Sequence, residues 1–242
     1  MYKLLILKVF SIALLLAFGA AAGGWENAKN TANDVIYKDK DRTFYCGCEY
    51  TSHGDTDGSG DVSHTACGYT GPSTHSSRAN RIEWEHVVPA SLMPARQLPC
   101  WVNGNRQQCE DTDPRAQAML FDLHNLAPSV GQVNALRSND RYTDLPDVTS
   151  DFGSCPIEDT TNAFEPPDCL KGNVARIWFY MELRHGVEIA SDERTMFEAW
   201  AAADPVSPWE SEREERIAKH TFVVNPFVRD MPTDAAGACP WE

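Results

Sequence analysis

Eight cysteines constrain this chain more than any other feature. Cys46, Cys48, Cys67, Cys100, Cys109, Cys155, Cys169 and Cys239 form an even set. Such a set reads as a disulfide framework only in an oxidising compartment. The first residues supply that context. Lys3 and Lys8 flank an almost wholly apolar run from Leu4 to Phe18, and Ala20-Ala21-Ala22-Gly23 follows. A basic start, a short apolar region and a small-residue exit read as a secretory signal peptide over residues 1–22, cleaved near Ala22. The run is too short to span a bilayer comfortably, and no second stretch of that length follows, so no membrane segment is expected after cleavage. Residues 23–242, rich enough in apolar side chains to bury a full core, are expected to form a single domain. All eight cysteines are expected in disulfides. Sequence alone does not choose among the pairings, but Cys100–Cys109 is the easiest to defend, because Asn103-Gly104-Asn105 between them is a turn signal. Closing that small loop would contribute about 2.7 kcal/mol in the chain-entropy model. Zinc is the rival reading, and the Cys46-Gly47-Cys48 spacing argues against it.

The charge restricts partners. The net charge is −14 with 21 Lys and Arg against 35 Asp and Glu, and removing Lys3 and Lys8 with the leader takes it to −16. A surface so acidic repels nucleic acid at long range, so a polyanionic substrate requires a local basic patch or a bound cation. His53-Gly54-Asp55-Thr56-Asp57-Gly58-Ser59-Gly60-Asp61 looks like a calcium loop but fails the pattern, because Ala66 stands where a bidentate Glu is needed. A polar surface loop is the better reading.

The central stretch is Arg81-Ile82-Glu83-Trp84-Glu85-His86-Val87-Val88-Pro89-Ala90. Ile82, Trp84, Val87 and Val88 favour a strand, and Pro89 ends it. On a regular strand Glu83 and Glu85 share one face and Trp84 and His86 the other. A buried strand has little reason to carry Glu-x-Glu-His unless the charges meet a metal, a cation or water. The rest of the chain has a simple outline. Asn27 to Tyr37 is a helical opening. Cys100 to Cys109 is a disulfide-closed excursion or β-hairpin. Pro114 opens a helix with Ala116, Met119, Leu120 and Leu123 on one face. Pro128 sets a break just after Asn125, and a short helix is expected from Ser129 to about Arg137. Ser138 to Asp151 reads as loop. The last third is helical. Val174, Ile177, Trp178 and Met181 make one apolar stripe ending at Gly186. Met196, Phe197 and Trp200 make another. Ser207-Pro208-Trp209-Glu210 is a capping box.

Three pieces point to chemistry: Glu85-His86, Arg106 and His124-Asn125. Metal-assisted hydrolysis of a phosphodiester needs a neutral histidine to take a proton from water, and an arginine to hold a phosphate oxygen. Its magnesium ion keeps several waters, so one carboxylate and one amide suffice as protein ligands. The chain has no His-Glu-x-x-His or Gly-x-Ser-x-Gly motif, and paired cysteines leave no thiol nucleophile.

The central stretch, with Asp122-Leu123-His124-Asn125-Leu126 and Arg137-Ser138-Asn139-Asp140-Arg141-Tyr142, closely resembles the endonuclease I family of secreted or periplasmic nucleases. The likeness runs from about Phe44 to about Val228 and includes Asp204-Pro205-Val206 with Trp209-Glu210. It implies an α+β fold with a ββα-metal (His-Me finger) core, followed here by the helix-rich C-terminal part and stapled by disulfides. It implies His86 as general base, Glu85 and Asn125 as metal ligands, and Arg106 as the contact to the scissile phosphate. It further implies Mg2+ as cofactor, with Mn2+ or Ca2+ able to replace it in binding. The implied substrate is DNA, and RNA too, cut without sequence preference to 5′-phosphates by a monomer. Arg81, Arg137 and Arg141 are further substrate-binding candidates, and pairing with the acid excess is the alternative for each. The sequence departs from relatives at Gln132, where they carry Glu, and at Ser211, where some carry Cys. The competing reading is a catalytically silent, disulfide-rich extracellular binding module on the same fold. An intact Glu85, His86, Arg106 and Asn125 set argues against it.

Overall fold

The computed structural model describes residues 24–55, 58–146 and 148–242. The expected signal peptide, and Thr56 and Asp57 of the Asp55–Asp61 loop, lie outside the described residues. Helix α1 (Gly24–Thr31) runs on into a π-helical turn over Ala32–Ile36, close to the helical opening expected there. A hairpin follows, made of β1 (Glu49–Ser52) and β2 (Gly60–Ser63). The central strand β3 spans Ile82–His86 and stops three residues before Pro89.

The excursion after it is helical. Pro99 starts α2 (Pro99–Val102), and Asn105 caps α3 (Arg106–Thr112) by accepting from the Gln108 N–H at 3.0 Å. Local capping chemistry therefore overrides the expected β-hairpin, and the Cys100–Cys109 disulfide staples two short helices together. Pro114 opens α4 (Pro114–Leu120), with Asp113 as its cap.

Strand β4 (Leu126–Val130) stands where a break and a helix start are expected. All five of its residues are buried, so no polar alternation marks it as a strand. Pro128 is tolerated in the ladder opposite Trp84, and its carbonyl accepts from the Phe44 N–H at 2.6 Å on the other edge. β3 and β4 are antiparallel, with Ile82 opposite Val130 and His86 opposite Leu126. Helix α5 (Gly131–Arg137) follows at once. Gly131 lets α5 settle onto β3: a Cβ there would meet the Arg78 carbonyl at 2.7 Å and Glu83 Oε1 at 2.9 Å. Gln132, on the same helix, donates from Nε2 to the carbonyls of Pro72 and Thr74 and accepts from the Tyr69 hydroxyl. Two carbonyls facing one end of the side chain require an amide NH2. A charged carboxylate there would leave both unmet, which is the physical reason an amide fits position 132.

The region expected as loop from Ser138 contains β5 (Arg141–Tyr142), which pairs in parallel with β7 (Ala163–Glu165), while β6 (Glu158–Asp159) is antiparallel to β7. The C-terminal part is helical, as read. In α6 (Lys171–His185) the stripe Val174, Ile177, Trp178 and Met181 is buried, and Gly186 ends the helix in the left-handed region at φ 72°. Phe197 and Trp200 anchor α7 (Ser191–Ala203). The capping box closes at α8 (Pro208–Thr221): Ser207 Oγ accepts from the Glu210 N–H, and Glu210 accepts from the Ser207 N–H, both at 3.1 Å. A short α9 (Pro226–Arg229) follows.

The cysteines pair as Cys46–Cys155, Cys48–Cys67, Cys100–Cys109 and Cys169–Cys239, with none free among the described residues. No partner is needed at Ser211. The fold is thus a mixed α and β structure stapled by four disulfides.

Arg213 ties α8 to the entry of β4 by donating to the carbonyls of Leu123, His124 and Leu126. Beneath it His124 is buried, with Nε2 3.4 Å from the Val223 carbonyl and Nδ1 3.4 Å from Glu214. Burial pushes His124 down to about 4, against the pull of Asp122. The unfolded histidine takes a proton near ~6.5. The unfolded state therefore binds more protons between these values, and stability falls as the pH drops through that window. The loss attributable to His124 is on the order of 3 kcal/mol. Glu214, raised by burial, acts with the opposite sign, so a variant comparison is needed to isolate the histidine. Urea unfolding should show the stability advantage of wild type over His124→Asn shrinking from pH 6.5 to pH 4. A constant difference would mean that His124 is charged in the folded state.

Candidate active site

Strand β3 pairs with β4 along one edge, and beyond the bridge between Arg81 and Asp61 its other edge borders a cleft of about 880 Å³. Because the strand edge forms the wall and the strand ends at His86, residues of both strand faces reach it. Glu83, Glu85 and His86 all line the cleft, so their adjacency in sequence does not separate them. Helix α1 contributes Trp25 and Lys29, α3 contributes Arg106 and Glu110, and α5 contributes Asn134.

The His86 imidazole has Nε2 2.7 Å from the Leu120 carbonyl. A carbonyl oxygen only accepts, so Nε2 carries the proton and Nδ1 keeps the lone pair. Burial first, and then the positive charge of Arg106, push the His86 pKa down to about 3. The ring is neutral across the working pH range. It stacks on Trp25, with ring centres 5.1 Å apart and planes within 18°.

Glu85 is 1% exposed. The Tyr45 hydroxyl donates to its Oε1 at 3.0 Å, and Arg137 approaches the same oxygen at 3.0 Å. Oε2 is left without a protein partner among the described residues. Burial pushes the carboxyl up to about 7, against the opposing pull of Arg137 and Tyr45. Asn134 donates from Nδ2 to Glu83 Oε2 at 2.8 Å, which leaves its Oδ1 without a hydrogen bond among the described residues. Arg106 is partly exposed, with Nε 2.5 Å from Glu110 Oε1 and its guanidinium 5.8 Å from the Trp25 ring centre.

The sequence candidates therefore divide. The cleft brings together Glu85, His86, Arg106 and Arg81. Asn125 is elsewhere. It is fully buried, its Oδ1 accepts from the Val88 N–H at 2.7 Å, and its Nδ2 donates to the Val88 carbonyl at 3.0 Å. Both ends of the amide are engaged in holding the chain after β3, and it is not among the residues that line the cleft. Arg137 is also fully buried, donating to the carbonyls of His86 and Val87, and it offers no surface to phosphate. Arg141 pairs with Glu193 of α7 at 2.6 Å and lies outside the cleft lining. Asn134 and Trp25 are cleft residues that sequence reading passed over, and Glu83 was noted there without a role. Asn134 sits in the string Gly131-Gln132-Val133-Asn134, and reading Leu126–Val130 as a strand would have pointed to it.

Among the described residues no group of three or more His, Cys, Asp or Glu forms a metal cluster. A tetrahedral zinc site needs such a cluster. Magnesium does not, because it keeps waters and takes substrate oxygens, so the oxygen donors of Glu85 and Asn134 fit it.

A family model described as Endonuclease I matches residues 25–232. The chain is 39% identical over 222 residues to an extracellular deoxyribonuclease of Aeromonas hydrophila, covering 90% of this chain and 95% of that protein. It is 36% identical over 196 residues to a periplasmic deoxyribonuclease of the same organism, covering 80% of each. It is 37% identical over 184 residues to an Endonuclease-1 of Buchnera aphidicola subsp. Acyrthosiphon pisum, covering 75% of this chain and 71% of that protein. The relatives and the cleft agree: the chain belongs to the endonuclease I family of secreted and periplasmic nucleases.

Proposed function

We propose that this chain is a monomeric, Mg2+-dependent endonuclease that hydrolyses DNA, and RNA as well, without sequence preference. Strands β3 and β4 with helix α5 form its ββα-metal core. The observation that carries this reading is a single cleft holding a histidine of fixed tautomer, a carboxylate with one free oxygen, an amide and an arginine. His86 Nδ1 takes a proton from the attacking water. The water oxygen bonds to phosphorus as the bond to the 3′ oxygen breaks, which leaves a 5′-phosphate. Arg106 exchanges Glu110 for a non-bridging oxygen of the scissile phosphate. That anion also neutralises the charge that lowers the His86 pKa. Glu85 and Asn134 would hold the magnesium ion, with Asn134 in the role first assigned to Asn125. When bound, the ion supplies positive charge against the negative charge of the transition state and leaving oxygen. These groups address the sugar-phosphate backbone, which is the same in every sequence.

Plasmid nicking should stop in excess EDTA and return with added Mg2+. His86→Ala should lower the rate by about 10²–10⁴-fold while DNA binding persists. Undiminished cutting under either condition would require a different mechanism.

The two asparagines should behave as opposites. Asn134→Ala should lose most activity and raise the Mg2+ concentration needed for cutting, with little change in urea midpoint. Asn125→Ala should lower stability by about 1–3 kcal/mol, because it leaves both Val88 backbone groups unpaired. If Asn125→Ala is the variant with the shifted Mg2+ requirement and an unchanged midpoint, the ligand assignment reverses.

Salt should act in two directions. A chain at −14, or −16 once Lys3 and Lys8 leave with the leader, repels DNA over about 30 Å at 0.01 M salt and about 8 Å near 0.15 M. Phosphate contacts in the cleft weaken steadily as salt rises. Cleavage rate at fixed free Mg2+ should therefore rise from very low NaCl, pass a maximum and decline. A monotonic fall would show that cleft contacts alone govern capture.

A further inference from the structure

We propose that Trp25 is a positioning residue of the active site, whose indole holds the His86 imidazole and the Arg106 guanidinium in one arrangement. This rests on the reading of His86 as base and Arg106 as phosphate contact.

Each of the two groups needs a second constraint. The imidazole is fixed by one hydrogen bond, from Nε2 to the Leu120 carbonyl at 2.7 Å. One bond sets the tautomer but leaves the ring free to rock about it. The Trp25 ring covers its face at 5.1 Å in a nearly parallel stack and removes that freedom. Arg106 is a long side chain on the first turn of α3, held at Nε by Glu110. Its guanidinium lies 5.8 Å from the Trp25 centre, a cation–π distance that restrains the fork when Glu110 gives way to phosphate. One indole thus touches both groups, and they are otherwise carried on a strand and a helix with separate supports.

Trp25 is itself supported. Phe121 backs it, with ring centres 5.9 Å apart. Ala28 and Thr31 bury the inner side of α1, which packs on α3. The helix that carries Trp25 lies more than fifty residues before β3, so its arrival at the cleft is a tertiary arrangement. The rival role for a cleft tryptophan is stacking on a substrate base. Its imidazole-facing side is already occupied, which favours positioning.

The test uses the full mature protein and three variants, Trp25→Phe, Trp25→Leu and His86→Ala, on plasmid DNA. A ring is needed and a merely apolar side chain does not suffice. Trp25→Leu should lower kcat about 10–100-fold with KM raised no more than about threefold, and Trp25→Phe should stay within about fivefold of wild type. A second readout needs neither metal nor substrate. In 15N spectra the His86 Nε2–H should be observable and slowly exchanging in wild type and Trp25→Phe, and should broaden or vanish in Trp25→Leu. A Trp25→Leu protein with kcat within twofold of wild type, a change confined to KM, or an unaltered Nε2–H signal would each overturn the proposal. Near-full activity of His86→Ala would overturn the functional reading, and the positioning role with it.

Discussion

A fully buried guanidinium holds the end of β3. Arg137, on the last turn of α5, donates to the carbonyls of His86 and Val87 and pairs with Glu85, while the Tyr142 ring lies 4.6 Å from its centre. Removing an arginine from water is expensive, and the cost is offset only when its donors are met. Here the two terminal nitrogens are met by the backbone of His86 and Val87 and the charge by Glu85, while Nε has no hydrogen-bond partner among the described residues. The same contact fixes where β3 stops and how α5 sits on it. It also engages Glu85 Oε1, so that Oε2 is left without a protein partner among the described residues. Tyr45 and Tyr142, hydroxyl to hydroxyl at 2.5 Å, carry the network on to β5. The site is therefore part of the core, with Glu85 and Arg137 as buried as the apolar side chains beside them.

Much of this was legible in the sequence wherever local chemistry decides structure. The Ser207 capping box, the α6 stripe with its terminal Gly186, the Pro114 helix start and the Glu85-His86 strand all stand as read. Leu126–Val130 was not legible, because a strand buried throughout shows no alternation and Pro128 argues against it. That gap decided which asparagine the sequence pointed to. Without a second strand before α5, Asn125 beside His124 was the natural amide, and Asn134 had no reason to face the cleft. Arg137 and Trp25 were hidden for a different reason. No local pattern says that an arginine will be buried, or that a residue near the chain start will stack on a histidine far along the chain.

The two asparagines show how one side chain type serves two ends. Asn125 meets both backbone groups of Val88 and so replaces a missing ladder pair just past β3. Asn134 engages only its NH2 with Glu83 and keeps its carbonyl oxygen. A primary amide has a donor end and an acceptor end, and what separates these two asparagines is that the Asn134 side chain lines the cleft while Asn125 is buried against Val88. Gln132 makes the same point, since its two donated bonds close the loop at Pro72 and Thr74 and explain an amide at that position.

The ion pairs fall into two physical classes, and the division matters for how an acidic protein handles a polyanion. Arg137–Glu85 and Arg176–Glu210 are buried on both sides. Breaking either leaves an unpaired charge in a low-dielectric interior, at a cost of about 3–5 kcal/mol, so these pairs do not exchange partners. Arg106–Glu110 and Arg81–Glu83 line the cleft with the arginine side chains 38% and 55% exposed. Their carboxylates, Glu110 and Glu83, are only 6% and 17% exposed, so these pairs are open to water on the arginine side alone. The carboxylates hold these arginines at the cleft, where on the proposed function they would meet the phosphates. An acidic chain, at −14 over its full sequence, in this way keeps basic groups at a cleft while its interior charges stay locked.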